Sequence, residues 1–96
     1  MINTSLVVPG QLVISKACRD HSRLFIVLQI VDEQFVLLVD GDLRKIENPK
    51  LKKTKHLQKT NRKSQLIVDC LARSEKITNA MVRREIENLD LEDNLG

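Results

Sequence analysis

The sequence predicts a mainly β domain, a small β-barrel of four or five short strands, followed by two short α-helices. In the first half, short runs rich in Val, Ile, Leu and Phe alternate with turn residues, which is typical of hairpin-linked strands. Closing such strands into a barrel removes their exposed edges. From residue 64 onward the apolar residues instead repeat at helical spacing. With 96 residues, the chain has room for one domain. We therefore assign residues 1–61 to the barrel with its basic loop and residues 62–96 to a helical extension.

The first predicted strands are separated by recognisable turns. Pro9-Gly10 is a turn pair between the apolar residues 6–8 and 12–14. A polar connection follows, and residues 24–31 and 34–39 then form two apolar runs of strand length. Asp32-Glu33-Gln34, which joins the first run to the second and overlaps the second at Gln34, predicts a hairpin turn.

The next segment predicts one more hairpin and then a loop. Asp40-Gly41-Asp42 is a tight-turn sequence in which Gly41 can supply a positive φ. Residues 43–47 alternate in polarity and predict a strand that Pro49 ends. Residues 50–55 predict a loop that leads to a last short strand around residues 56–58.

Two helices are predicted in the last third of the chain. Ser64 is a plausible N-cap for the first helix, and Thr78 or Asn79 for the second. The apolar residues that each helix would place on one face are Leu66, Ile67, Cys70 and Leu71 in the first, and Met81, Val82, Ile86 and Leu89 in the second.

Signatures of catalysis are weak in this sequence. The three glycines are isolated, so no phosphate-binding glycine loop is present, and His21 and His56 have no neighbour that suggests a triad. Asp40 and Asp42 flank a glycine and are interpreted as turn formers, not as a catalytic pair. We predict a protein without enzymatic activity, cofactor or metal ion.

The two cysteines and the N-terminal residues bear on the cellular compartment. Cys18 and Cys70 lie far apart with no nearby zinc-ligand pattern, which favours two free thiols in a reducing environment. The sequence carries neither a signal-peptide pattern nor a run of about 20 apolar residues that could span a membrane. The expected location is cytoplasmic.

Positive charge is concentrated in residues 44–63. This basic stretch contains nine Lys and Arg residues against Glu47 alone, a local charge of +8, whereas the whole chain carries +3. A run of like charges repels itself unless a polyanion neutralises it. Lys16, Arg19 and Arg23 form a second basic loop, and two such loops at one rim of a barrel would clamp a nucleic acid from two sides. The alternative is a solvated loop that only keeps the protein soluble.

Folded RNA is the nucleic acid that the composition favours. Phe25 and Phe35 are the only aromatic residues, too few for a single-strand binder that stacks bases on exposed rings. Recognition through phosphate groups and shape suits folded RNA. An anionic membrane surface would also attract the basic stretch, but the stretch lacks an apolar face to insert.

Residues 9–58 resemble the KOW-domain RNA-binding proteins, bacterial relatives of the large-subunit ribosomal KOW proteins of archaea and eukaryotes. The resemblance is carried by Gly10, by residues 16–20, by Asp40-Gly41, by the string LRKIENPK and by the run that ends at KHL. It extends over residues 6–61 and more weakly over KITNAMVRREI. Cys18 stands where the family usually has glycine, and Ser22 where it often does.

The resemblance implies an SH3-like barrel that binds ribosomal RNA or takes part in transcription and translation complexes. The two departures from glycine make a left-handed turn near the RNA backbone more costly, which would reshape that loop. Carried over to this chain and combined with the basic stretch, the candidate RNA-binding residues are Lys16, Arg19, Arg23, Arg44, Lys45, Lys50, Lys52, Lys53, Lys55, His56, Lys59, Arg62 and Lys63.

A protein-interaction adaptor is the alternative function. In that case the two helices would bury Leu66, Ile67, Val82 and Ile86 against a protein partner. Within this class, the runner-up is a transcription-elongation-type factor that binds polymerase, as some KOW domains do. The simpler alternative is that these helices pack on the barrel of their own chain.

Overall fold

The computed structural model describes residues 7–16 and 23–95, with side chains as far as Asp90. It confirms a mainly β architecture with two C-terminal helices. The strands form one antiparallel sheet in the order β4-β3-β2-β1-β5, and a 3-10 turn, Thr54–His56, joins β4 to β5. The elements are β1 Gln11–Ser15, β2 Leu24–Ile30, β3 Phe35–Val39, β4 Lys50–Lys53, β5 Leu57–Lys63, α1 Gln65–Ala72 and α2 Asn79–Leu95.

The central strands are buried on both faces. Because side chains alternate between the faces of a strand, β1 sends Val13 to one cluster and Leu12 to the other. The inner cluster holds Val7, Val13, Phe25, Val27, Val36, Leu38 and Leu57. The outer cluster is covered by the helices and holds Leu12, Ile26, Val39, Ile67, Val82 and Leu89. Two-sided burial explains why the β2 and β3 sequences are almost continuously apolar.

The sheet is not closed into a barrel within the described part of the chain. β4 and β5 are the two edge strands and do not pair with each other. Only the three residues of the 3-10 turn separate them along the chain, so the two edges are nevertheless brought together at that turn.

The predicted strand over residues 43–47 is wrong. The Oδ1 atom of Asp40 accepts the backbone N–H groups of Asp42 (2.9 Å) and Arg44 (2.8 Å), and Ile46 donates its N–H to Oδ1 of Asn79 (2.8 Å). These contacts use amides that a strand would need for its ladder. Asp40 is thus a turn former, and Gly41 has the predicted positive φ, +77°, although the β3–β4 loop runs from 40 to 49 and is no tight hairpin.

The segment after Pro49 also differs from the prediction. Residues 50–53, predicted as a loop, form β4. A lysine-rich segment can be a strand here because β4 is an edge strand, in which Lys53 is exposed and Lys50 and Lys52 are only half-buried. The last strand, predicted around residues 56–58, runs from Leu57 to Lys63 and so continues past the boundary placed at residue 61.

Both helices begin where the sequence predicts. The Ser64 hydroxyl accepts the N–H of Ile67 (3.1 Å), and the Thr78 hydroxyl accepts the N–H of Met81 (3.1 Å). Of the two candidate caps for α2, the capping residue is therefore Thr78. With 17 residues, α2 is not short. Ile67 and Val82 are fully buried against the sheet, so the two helices pack on their own chain.

Two glycines lie at the points where the helices contact the sheet. Gly10 has a φ of +90°, and a Cβ atom there would lie 2.5 Å from Cγ2 of Val68 in α1. A Cβ atom at Gly41 would lie 2.9 Å from Cγ of Arg83 in α2. Both positions therefore need glycine for the backbone conformation and for the close approach of a helix.

The end of α1 places a residue other than glycine in the left-handed region. Ser74 has a φ of +57°, Glu75 donates its N–H to the carbonyl of Cys70 (2.8 Å), and Ser74 donates to that of Leu71 (3.3 Å). These two hydrogen bonds define a Schellman cap, in which glycine is the usual left-handed residue.

Replacing Ser74 by glycine should therefore stabilise the protein. The left-handed conformation costs a residue with a Cβ atom about 1 kcal/mol, so we expect Ser74→Gly to raise the free energy of unfolding by up to that amount. Urea denaturation of the two proteins measures the change. Ser74→Ala keeps the Cβ atom and should bring no gain; equal stabilisation by both variants would contradict the interpretation.

Candidate nucleic-acid interface

A groove with a volume of about 690 Å³ lies between the β2–β3 turn and the 3-10 turn. Three lysines, Lys53, Lys55 and Lys59, are exposed along it, and Glu33 is the one carboxylate among its lining residues. The groove therefore carries a net positive charge, which suits an anionic ligand. Its lining residues are Glu33, Gln34, Lys53, Thr54, Lys55, Leu57 and Lys59.

Hydrogen bonds fix the two walls of this groove. The predicted turn at Asp32-Glu33-Gln34 is confirmed, because Oδ1 of Asp32 accepts the N–H groups of Gln34 (2.8 Å) and Phe35 (2.9 Å). The carbonyl of Gln34 in turn accepts both the backbone N–H and the hydroxyl of Thr54, each at 2.8 Å. Because Thr54 opens the 3-10 turn, these two bonds tie one wall to the other, and the groove is formed before any ligand arrives.

The end of β1 lies against the same turn. The backbone N–H of Lys16 donates to the carbonyl of His56 (3.0 Å), and the Lys16 side chain is exposed. This contact brings the start of the second basic loop next to the basic stretch, as a two-sided clamp requires. Arg19, the middle cation predicted in that loop, and the neighbouring Cys18 lie outside the described residues.

The lysines of β4 lie on both of its faces. Lys50 and Lys52 pair with Leu38 and Val36 in the register of β3, which places them on the side of the inner cluster, and both are half-buried. Lys53 lies on the opposite side, with its Nζ atom 5.8 Å from the centre of the Phe35 ring. This distance is typical of a cation–π contact.

The cations of β5 line the second edge of the sheet. Lys59 pairs with Val13 and Lys63 with Gln11 in the register of β1, and both lysines are exposed. Arg62 is half-buried. With β4 and β5 as the edge strands, both open edges of the sheet are lined by positive charge.

The remaining predicted residues belong to the other end of β3. The guanidinium of Arg23 forms a salt bridge with Asp40 (3.0 Å), whose side chain is only 8% exposed. Arg44 is half-buried and Lys45 is exposed, both on the β3–β4 loop. A phosphate group at Arg23 would have to compete with Asp40, whereas Lys45 is presented to solvent by the loop.

Burial and hydrogen bonding act in opposite directions on Asp40. Burial alone would raise the pKa of this carboxyl, but the N–H groups of Arg44 and Asp42 and the guanidinium of Arg23 together hold the pKa below its usual value. The carboxylate is thus kept ionised as the acceptor that organises the start of the β3–β4 loop.

Sequence reasoning missed the uncharged part of the groove. It found the lysines by their density and the turn at residues 32–34, but it had no reason to place Thr54 or Leu57 beside that turn. Those two residues are brought there because residues 50–53 form a strand paired with β3, which their composition does not indicate.

Two other kinds of feature are absent from the part of the chain that the structure describes. Within the described ranges, no three His, Cys, Asp or Glu side chains come together as metal ligands, and no helix is both long and apolar enough to cross a membrane. Cys70 is a free, buried thiol. No protein-family model matches the chain, and no curated protein does so either.

The role of Asp40 predicts a pH-dependent stability. In Asp40→Asn the amide oxygen can still accept the two loop N–H groups, but the charge is lost. Folding lowers the pKa of Asp40. The stabilisation that the Asp40 charge provides is therefore complete above about pH 4, and it disappears as the pH falls through the lower folded-state pKa.

We therefore expect the free energy of unfolding of wild type to exceed that of Asp40→Asn by about 1–2 kcal/mol at pH 7. This range is discounted for the partial exposure of Arg23. The difference should shrink as the pH falls below about 4 and through the lowered pKa of Asp40, and urea denaturation at a series of pH values measures it. Asp42→Asn, at the exposed neighbouring position, should stay within about 0.5 kcal/mol of wild type at pH 7. A difference that does not shrink as the pH is lowered from 7 into the acid range would contradict the role of the Asp40 charge.

Proposed function

We propose that this protein is an RNA-binding module that grips folded RNA through phosphate contacts, in the manner of a ribosome-associated KOW domain in the cytoplasm. The observation that carries the proposal is the preformed groove with Lys53, Lys55 and Lys59, at the point where the two lysine-lined edges of the sheet meet. Displacement of condensed counterions from RNA by such cations provides binding free energy without sequence reading.

The strand order supports an SH3-like barrel as the finer description of the fold. A meander of four strands with the fifth beside the first leaves β4 and β5 at opposite edges. The 3-10 turn joins these two edges directly, which is the arrangement from which a small barrel closes. We take the resemblance to KOW domains and this topology as two independent supports for the same fold.

The two aromatic residues favour phosphate recognition over base stacking. Phe25 is 1% exposed and lies in the inner cluster. Phe35 is half-buried and has the ammonium group of Lys53 over its ring. Phe25 therefore offers no face on which a base could stack, and Phe35 is partly covered and contacted by Lys53, whereas single-strand binders depend on exposed rings.

The lysines of the edge strands have a second explanation besides RNA binding, and the experiment must distinguish the two. Lysine on an edge strand prevents another sheet from pairing there, and that function needs no RNA. Edge protection accounts for Lys50, Lys52 and Lys53 on β4, but Lys55 lies in the 3-10 turn, where no ladder can be extended. Lys55 therefore favours the RNA-binding proposal.

Neutralising the groove should weaken RNA binding and its salt dependence. We expect Lys53→Gln/Lys55→Gln to reduce the affinity for a 20-base-pair RNA hairpin about tenfold or more in low salt. The slope of log Kd against log salt concentration should fall by about 1.5, since each phosphate contact contributes roughly 0.7–0.9. Fluorescence anisotropy over a range of salt concentrations measures both quantities.

The matched control removes the same charge elsewhere. Arg73→Gln/Arg84→Gln neutralises two exposed cations of the helical segment and should leave the slope close to that of wild type. Equal slopes for the groove variant and wild type would overturn the proposal. Aggregation of the groove variant with unchanged RNA binding would instead identify the lysines as edge protection.

Association with the ribosome is tested in cell lysate. We expect the tagged protein to sediment with the large subunit on a density gradient at low salt and to leave it at high salt, because phosphate contacts are screened. Migration at the top of the gradient under both conditions would contradict a ribosomal partner, while binding to the hairpin would still support an RNA-binding module.

A protein adaptor remains the second candidate, and one feature favours it. Leu66 is 45% exposed, and with Met81, Ala80, Arg84 and Glu85 it borders a hollow of about 170 Å³ between the helices. The other residues that this candidate needs are taken up within the chain: Ile67 and Val82 are buried, and Ile86 packs against the outer cluster. On the described part of the helices a partner would therefore contact this small hollow, and we expect Leu66→Ser to weaken its binding.

A further inference from the structure

We infer that the first turn of α2 positions the β3–β4 loop for RNA binding, with Asn79 as the positioning residue. This inference rests on the proposed function. It assigns a role to a helix that lies more than fifteen residues beyond the basic stretch in the sequence and that contributes no cation to the groove.

Asn79 uses both ends of its side-chain amide on the loop. Its Oδ1 atom accepts the N–H of Ile46 (2.8 Å), and its Nδ2 group donates to the Glu47 carboxylate at 3.0 and 3.3 Å. The assignment of the oxygen and the nitrogen is unambiguous, because a backbone N–H can only donate and a carboxylate can only accept. Asn79 is free to do this because Thr78, not Asn79, caps the helix.

The same turn of α2 also holds the beginning of the loop. Arg83 donates from its guanidinium to the carbonyl of Gly41, and the absence of a Cβ atom at Gly41 lets the backbone approach Asn79 and Arg83 closely. Ile46 packs into the outer cluster with Val82. The loop is therefore fixed at residues 41, 46 and 47 by one rigid element.

The side chain that the clamped loop presents is Lys45. It precedes the two residues that Asn79 holds and is exposed. Its neighbour Glu47 has a pKa below the usual value, first because of the hydrogen bond from Asn79 and then with contributions that include the charges of Lys45 and Lys76. By engaging Glu47, Asn79 keeps this carboxylate on the helix, so that Lys45 can face a phosphate group.

Removal of Asn79 should lower the salt dependence of RNA binding although it removes no charge. With the 20-base-pair RNA hairpin as the probe, we expect Asn79→Ala to reduce the slope of log Kd against log salt concentration by about 0.7–0.9, the value of one phosphate contact. Lys45→Gln should give the same reduction, and the double variant should reduce the slope no further, because both changes remove the same contact.

Two controls separate positioning from loss of stability. Ser64→Ala removes the cap of the other helix, α1, and should cost stability without changing the slope. Hydrogen exchange measured by NMR on free Asn79→Ala should be at least tenfold faster at the Ile46 amide and unchanged at the amides of β2. If Asn79→Ala does not fold, Asn79→Ser, which is too short to reach both partners, takes its place.

The outcomes distinguish this inference from the proposed function. If wild type binds the hairpin, Lys45→Gln lowers the slope and Asn79→Ala does not, the positioning role is overturned and the RNA-binding module stands. If wild type does not bind the hairpin at all, the proposed function fails and the positioning role fails with it. Faster exchange at Ile46 together with an unchanged slope also overturns the inference, since the loop would then be held for no purpose in binding.

Discussion

Burial of the sheet on both faces is the constraint on which the rest of this structure depends. The strands are as short as four residues, so one face of the sheet by itself buries only a small apolar area. Here the inner cluster is completed by the edge strand β5 through Leu57, and the outer cluster by the two helices through Ile67, Val82 and Leu89. The helices are thus part of the hydrophobic core and not an appendage to it.

This arrangement gives the central strands and the edge strands different roles. The central strands are apolar on both sides and provide the rigid body, so charge is left to the edge strands and to the loops. The groove forms where these edges meet, and its walls are held by the bonds from Thr54 to Gln34. A site that is fixed before binding loses little conformational entropy when a ligand arrives, which suits recognition by many weak phosphate contacts.

The sequence predicted those elements whose signal is local and failed where tertiary contacts decide. The strands β1, β2 and β3 were recognisable by their apolar runs, and the helices by their spacing and by the candidate caps, Ser64 for the first and Thr78 or Asn79 for the second. The strand predicted over residues 43–47 was wrong because its amides are taken by Asp40 and by Asn79, and Asn79 is more than thirty residues away in sequence. The strand β4 was missed because its sequence, KLKK, is explained only by its place at an edge.

The same distinction holds for the candidate site. The density of Lys and Arg indicated the candidate region, and the composition argued against base stacking, but neither could show that Arg23 forms a salt bridge with a nearly buried carboxylate. Nor could it show that a 3-10 turn would bring Lys55 opposite the turn of residues 32–34.

The helices follow the strands along the chain, and this order has a consequence for synthesis. A ribosome makes the strands first, and until the helices have emerged Leu12, Ile26 and Val39 lack the cover that Ile67, Val82 and Leu89 provide. Partly made chains therefore expose an apolar sheet surface, and such surfaces are prone to aggregation. The outer cluster can form only after both helices have been made, so a pause in translation between β5 and α2 would prolong this exposed state.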